Sequence, residues 1–171
     1  RVLDNDTVRV DMGEPRLLRG EIPVTGDPSL PAEALEIELP GCKVTASAVS
    51  MGNPHAVIFV PDVGKIELEK WGPLIESHPF FPNKTNVEFV EVISPRMVRM
   101  RVWERGCGVT MACGTGSCAT AGVRAGRTER NLTVLLDGGE LQIDWSAADN
   151  HVYMTGPACE VFRGDYIERG A

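Results

Sequence analysis

Histidine and aromatic residues are scarce in this sequence, which has three histidines and only 6% phenylalanine, tyrosine and tryptophan together. The histidines are spread along the chain, and the five cysteines include no C-x-x-C pair, so the sequence predicts neither a metal site nor a thioredoxin-type dithiol. Because the number of cysteines is odd and no secretory signal is visible, we expect reduced thiols and a cytoplasmic location. The residues concerned are His55, His78, His151, Cys42, Cys107, Cys113, Cys118 and Cys159.

Basic residues and long apolar runs are also lacking. Lysine and arginine number 17 against 24 acidic residues, and the net charge of −7 argues against broad binding to nucleic acid or to an anionic membrane. No apolar run approaches the length that a bilayer crossing requires. A small anionic substrate needs only a local site and stays compatible with this composition. The length of 171 residues and the hydrophobic content of 43% fit one domain with its own core.

Alternating hydrophobic and β-branched segments predict a chain that is rich in strands. Two helical patterns interrupt them, and the second consists almost entirely of small residues. A helix of so little bulk suits a buried position, so we predict an α+β fold in which a curved mixed sheet or barrel wraps around it. The predicted strands cover residues 7–12, 34–39, 42–49, 55–60, 87–93, 98–103, 132–136, 140–145, 151–154 and 158–162; the predicted helices cover 63–77, as one helix or two short ones, and 115–125.

The stretch over residues 100–127 reads as a strand, a glycine-rich turn and the small-residue helix, with Gly126 as its predicted end. Cys113 lies where that helix begins. The helix dipole and the free N–H groups there can lower a thiol pKa, so we expect a reactive cysteine. The N–H groups of Gly114 and Thr115 can also hold a carboxylate of a ligand. The spacing alone leaves open the alternative that Cys113 is one more small core residue.

Several motifs occur in a fixed order over nearly the whole chain. They are residues 10–15 (VDMGEP), 50–55 (SMGNPH), 85–89 (TNVEF), 103–116 (WERGCGVTMACGTG) and 155–158 (TGPA). In this order they resemble the diaminopimelate epimerase family. The resemblance implies a cofactor-independent isomerase that interconverts LL- and meso-2,6-diaminopimelate, a step of lysine and peptidoglycan synthesis, with two thiols acting on opposite faces of the α-carbon.

The resemblance also implies roles for individual residues. Cys113 would be one catalytic thiol, with Glu104 as its hydrogen-bonding or proton-shuttling partner. His55 would assist the cysteine of the other half of the enzyme and would be idle in this chain alone. The substrate would contact Glu104 and the residues Asn53, Asn86, Arg105, Gly114 and Thr115. Among these, Arg105 suits the distal carboxylate because a guanidinium can bind it with two hydrogen bonds.

One departure from the family pattern is large. The family has a preceding, pseudo-symmetric half that carries its own catalytic cysteine, and no motif of that kind occurs in these residues. The resemblance therefore implies that the chain is the C-terminal part of a longer enzyme and is inactive alone. We expect residues 1–156 to form the C-terminal epimerase domain and residues 157–171 to dock on the missing half. The implied partners are diaminopimelate, that missing half and a possible second copy of the protein.

Three alternatives stay open. A sister enzyme of proline racemase or hydroxyproline epimerase type would share the Cys-Gly-Thr-Gly turn, but it would lack the Glu-Arg-Gly run and would not need Arg105. A non-catalytic domain could use the helix start at Cys113 as an anion site. A cysteine hydrolase is weaker still, because the sequence places no histidine near Cys113.

Overall fold

The ten strands of the described residues form one mixed sheet. The structure is a computed structural model, and it describes residues 1–3, 6–122 and 127–165. The strands are β1 (Thr7–Asp11), β2 (Leu35–Leu39), β3 (Cys42–Ser50), β4 (Pro54–Phe59), β5 (Asn86–Ser94), β6 (Met97–Glu104), β7 (Gly108–Thr110), β8 (Asn131–Leu136), β9 (Gly139–Trp145) and β10 (Val152–Pro157). The helices are α1 (Leu68–Glu76) and α2 (Gly114–Gly122), and short 3₁₀ turns cover Arg19–Glu21 and Val63–Lys65.

The sheet runs in the order β1-β10-β9-β8-β6-β5-β4-β3-β2, and β7 pairs with β6 beside this path. Neighbouring strands are antiparallel except for the pairs β4–β5 and β6–β8, which are parallel. The parallel pairing places His55 opposite Asn86 and Val57 opposite Glu88. This register brings the ends of the two predicted motifs, residues 50–55 and 85–89, to the same part of the sheet.

The predicted architecture is confirmed, and the sheet is open rather than a closed barrel. Helix α2 contacts β3, β4 and β5 on one side and β8, β9 and β10 on the other, so the sheet curves around it. Its residues from Gly116 to Gly122 are all buried. Small side chains permit this close approach: a Cβ added to Gly116 would lie 2.7 Å from the carboxylate of Glu88. The predicted helix end at Gly126 lies outside the described residues.

Helix α1 covers the other part of the sheet, over a separate hydrophobic cluster. It continues through Pro73, and it packs so closely on β6 that a Cβ on Gly72 would lie 2.4 Å from the Trp103 ring. Neither helix of the described chain has the length and apolar content needed to cross a bilayer.

Two predictions of local structure were wrong. Residues 158–162 have no regular secondary structure, whereas we predicted a strand there. The turn before α2 also contains a strand that we did not predict, β7, which folds back on β6 as a hairpin. Gly106 and Gly108 have φ values of 78° and 84°, a left-handed conformation that glycine adopts without strain, and this lets the chain reverse.

Candidate active site

Cys113 lies directly before α2, at the inner surface of the curved sheet, and only 6% of it is exposed. Its sulfur accepts a hydrogen bond from the Gly116 N–H at 3.4 Å and lies 3.6 Å from the Thr115 hydroxyl. The first intrahelical bond runs from the Ser117 N–H to the Cys113 carbonyl. The N–H groups of Gly114 and Thr115 precede it, so helix geometry leaves them without intrahelical acceptors.

The predicted lowering of the Cys113 pKa is wrong. Burial, together with the nearby charge of Glu88, raises the pKa of the Cys113 thiol to about 11. Hydrogen bonds from Thr115 and Gly116 act in the opposite direction but do not outweigh burial. The helix start was read correctly from the sequence, whereas the depth of the sulfur below the surface could not be. The free thiol is therefore the dominant form of Cys113 at neutral pH.

His55 lies beside Cys113, contrary to the expectation that no histidine is close to it. The imidazole is fully buried on β4. Its Nδ1 is 2.7 Å from Glu88 Oε1, and its Nε2 is 3.0 Å from Asn53 Oδ1. Asn53 Nδ2 in turn donates to the Thr115 hydroxyl at 3.4 Å. Two successive side-chain hydrogen bonds thus join His55, through Asn53, to Thr115 at the start of α2.

Glu88 is a residue of this site that sequence reasoning missed. It lies on β5 with no exposed surface, and burial raises the pKa of its carboxyl group. Its Oε2 has no hydrogen-bond partner among the described residues. A signal was present in the sequence, since strand alternation places Glu88 on the same face as Val90 and Val92. A carboxyl group beside valines on a buried strand face indicates a buried partner.

Three side chains at this site could together hold a metal ion. One donor atom each from His55, Glu88 and Cys113 lie within 4.8 Å of one another. The expectation that no metal site exists relied on the separation of histidines and cysteines in the sequence, and the fold removes that separation. In the structure, however, His55 and Glu88 use their facing atoms for a 2.7 Å hydrogen bond to each other.

Glu104 and Arg105 lie at the end of β6, in the hairpin that leads to β7. Glu104 Oε1 accepts a 2.6 Å hydrogen bond from the Thr110 hydroxyl. The charge of Glu104 also contributes to raising the pKa values of Cys113 and Glu88. The exposed Arg105 guanidinium donates a hydrogen bond to the Asn83 carbonyl at 3.1 Å.

Asn86 and Glu76 hold this hairpin in place. The side-chain oxygen of Asn86 accepts from the Arg105 backbone N–H at 2.9 Å, and its nitrogen donates to the Pro54 carbonyl at 2.9 Å. Asn86 therefore joins its own motif, residues 85–89, to the motifs at residues 50–55 and 103–116. Glu76, at the end of α1, accepts from the Trp103 indole at 2.7 Å and from the Gly106 N–H at 3.3 Å. Sequence reasoning gave Glu76 no role.

The structure thus arranges the predicted residues in two groups. One runs from His55 through Asn53 and Thr115 to Cys113. The other comprises Glu104, Arg105 and Asn86.

Comparison with known proteins shows the family of this chain. The family model described as diaminopimelate epimerase matches residues 47–161. Curated diaminopimelate epimerases from Moorella thermoacetica and Microcystis aeruginosa are 56% and 55% identical over 93% and 97% of this chain. The chain spans 57% and 60% of the lengths of these two relatives.

The fold is also similar to that of a solved hydroxyproline epimerase from Agrobacterium vitis. That structure superposes with a TM-score of 0.63 at 17% sequence identity, over 92% of this chain and 52% of the other. An identity this low shows a shared fold alone. The family model, by contrast, matches most of the chain, including every site residue described above, and the chain therefore belongs to the diaminopimelate epimerase family.

Proposed function

We propose that this chain is the Cys113-bearing part of a cofactor-independent epimerase that interconverts LL- and meso-2,6-diaminopimelate. The single observation that carries the proposal is the position of Cys113: a buried thiol at the first turn of α2, within the segment that matches the family. A thiol held there can give or take a proton beside N–H groups that suit a carboxylate.

The acid–base chemistry needs two groups. Inversion removes a weakly acidic α-proton on one face of the substrate and returns a proton on the other. Because the pKa of Cys113 is raised to about 11, it starts as the thiol and serves as the proton donor. A second thiol, from the part of the enzyme that precedes this chain in the family, would enter as the base. Glu104 would act as the hydrogen-bonding or proton-shuttling partner of Cys113.

The substrate has two carboxylates, and the site offers two kinds of partner for them. The N–H groups of Gly114 and Thr115 would hold the α-carboxylate, next to the carbon where negative charge develops. Arg105 would bind the distal carboxylate, with Asn53 and Asn86 orienting the remaining polar groups. Among the residues that the structure describes, the exposed guanidinium donates one hydrogen bond, to a backbone carbonyl, and its other N–H groups would be available to a ligand.

Solvent deuterium uptake at the α-carbon of LL-diaminopimelate in D₂O tests this proposal. We would compare this chain alone, the full-length protein with the preceding half, and full-length protein carrying Cys113→Ala. We expect uptake and inversion only in the full-length protein with Cys113. Inversion by the isolated chain at a normal rate would refute the two-thiol account. We further expect a cytoplasmic enzyme, with a homodimer as a possibility to be measured on the full-length protein.

A second candidate function follows from the fold shared with the hydroxyproline epimerase. Uptake with proline or hydroxyproline, but not with diaminopimelate, would favour that activity. No uptake with any of these amino acids would favour a binding domain that uses the start of α2 for an anion. Arg105 favours diaminopimelate, since a substrate with one carboxylate needs no second cation.

A further inference from the structure

Glu88 is the least expected side chain of the site. It is fully buried on a strand face that also carries Val90, and Oε2 has no partner among the described residues. An isolated carboxylate in such surroundings is strongly disfavoured, so a buried glutamate must be paired or protonated. The partner present is His55, at 2.7 Å.

The direction of the hydrogen bonds defines the protons of this pair. Asn53 donates through Nδ2 to Thr115, so its Oδ1 faces His55 Nε2 and accepts from it. Nε2 therefore carries a hydrogen. The remaining contact, between Nδ1 and Glu88 Oε1, needs one proton: either the carboxylic acid donates to Nδ1 or the imidazolium donates to the carboxylate. In either form, the His55–Glu88 pair has no net charge.

The same chain of hydrogen bonds ends at Cys113. Because the Thr115 hydroxyl accepts from Asn53, its own hydrogen is free to point at the sulfur 3.6 Å away. The Gly116 N–H supplies a second donor at 3.4 Å. These two donors favour the thiolate that must form during a proton transfer.

We propose that Glu88 is a positioning residue: it shares one proton with His55 and, through Asn53, holds the Thr115 hydroxyl as a hydrogen-bond donor to Cys113. The ionisable groups around the sulfur are Glu88 on β5, Glu104 at the end of β6, His55 on β4 and Cys118 on α2. A charged Glu88 opposes the thiolate, in line with its raising effect on the pKa of Cys113, and a proton shared with His55 lessens that opposition. The inference takes Cys113 as the acid–base group of the proposed function.

The rate at which iodoacetamide alkylates Cys113 near pH 8 tests this role on the chain itself. The exposed cysteines are first changed to serine (C42S, C107S and C159S), which leaves Cys113 and the fully buried Cys118. Mass spectrometry then follows the peptide that contains Cys113. At a pH below the thiol pKa, a tenfold change in the acid dissociation constant of Cys113 changes the alkylation rate about tenfold, because only the thiolate reacts.

Glu88→Gln keeps a neutral donor to His55 Nδ1, so we expect its alkylation rate to stay within about twofold of the parent. If Glu88 instead carried an unshared negative charge at this distance, its removal would accelerate alkylation on the order of 100-fold. That acceleration would overturn the proposal. Glu91→Gln, on the same strand and outside the site, is the matched control and should leave the rate unchanged.

Thr115→Val removes the donor itself and should slow alkylation roughly tenfold. Glu88→Leu removes the hydrogen bond to His55 at the far end of this series of hydrogen bonds, and it should slow alkylation of Cys113 by a similar factor. The double variant should react no more slowly than Thr115→Val alone, because both changes remove the same donor; additive losses would contradict the proposal.

A second readout is the ¹⁵N NMR spectrum of His55, which should show Nε2 protonated. An unprotonated Nε2 would mean a pair with net negative charge and would refute the proton-sharing arrangement. Alkylation and NMR report on Cys113 and His55 without any substrate. The proposed function can therefore fail in the deuterium experiment while this inference stands, and the reverse also holds.

Discussion

Glu76 offers a direct test of how the hairpin that carries Glu104 and Arg105 is held. Its carboxylate accepts from the Trp103 indole at 2.7 Å, the Gly106 N–H at 3.3 Å and the Lys84 ammonium at 3.3 Å. Glutamine has nearly the same shape, but it replaces one acceptor with an NH₂ group that faces donors. We therefore expect Glu76→Gln to weaken this end of α1 without leaving a cavity.

The magnitude follows from the bonds that change. Hydrogen bonds to charged groups contribute about 1.5–3 kcal/mol and neutral ones about 0.5–1.5 kcal/mol. The Lys84 side chain is 59% exposed, so its contact with Glu76 adds little. Because the Trp103 bond survives in neutral form, we expect Glu76→Gln to lower the free energy of unfolding by about 1–2 kcal/mol at pH 7. Urea unfolding measured by circular dichroism gives this value.

The pH dependence gives a second signature. Burial opposes the ionisation of Glu76, but hydrogen bonds from Trp103, Lys84 and Gly106 outweigh it and lower its pKa below the ordinary 4.5. A carboxyl group whose pKa is lowered by folding stabilises the fold above its unfolded pKa, and this contribution is lost as the pH falls through the folded pKa. The stability difference between the parent and Glu76→Gln should therefore shrink below about pH 4.

Glu69→Gln is the matched control, since Glu69 is exposed on the same helix. It should change the free energy of unfolding by less than about 0.5 kcal/mol. Equal free energies of unfolding for Glu76→Gln and Glu69→Gln at pH 7 would contradict this account of the hairpin. So would a stability difference between the parent and Glu76→Gln that stays the same in acid.

Two further substitutions probe close contacts on which the site depends. Gly72→Ala would place a methyl group 2.4 Å from the Trp103 ring, and the resulting overpacking should cost about 1–3 kcal/mol in urea unfolding. Asn86→Asp would turn the donor to the Pro54 carbonyl into an oxygen and should cost a similar amount, about 1–3 kcal/mol, measured in the same way.

Each of these substitutions has its own contradicting result. An unchanged unfolding midpoint for Gly72→Ala would mean that α1 can move away from the sheet without loss. For Asn86→Asp the control is Asn83→Asp, whose side chain is exposed and should matter little. Equal stabilities of these two asparagine variants would show that the amide of Asn86 does not tie the motifs together.

The sequence predicted the strands well where hydrophobic alternation was regular, and it predicted the buried helix from its small residues. The strand predicted at 158–162 failed because local β propensity says nothing about whether a neighbouring strand is available to pair. Strand β7 was missed because it has only three residues, the first of them a glycine, and so short a pattern cannot be distinguished from a turn.

Motifs in the sequence indicated most residues of the candidate site, but they indicated neither Glu88 nor the contacts between these residues. His55 and Glu88 are 33 positions apart, and only the parallel pairing of β4 with β5 brings them together. The same dependence on contacts between distant residues explains why the predicted lowering of the Cys113 pKa was wrong. A helix start can be read from a sequence, whereas the burial that raises the pKa of this thiol depends on strands from both ends of the sheet.

The most direct test of the central claim is the rate at which the full-length protein inverts LL-diaminopimelate, compared between Cys113→Ala and Cys118→Ala. Both cysteines are buried at α2, five positions apart, but only Cys113 precedes the helix where an acid–base thiol is proposed. We predict a loss of at least about 100-fold for Cys113→Ala and a rate within a few fold of the parent for Cys118→Ala. Parent-like inversion by a folded Cys113→Ala protein would contradict the account.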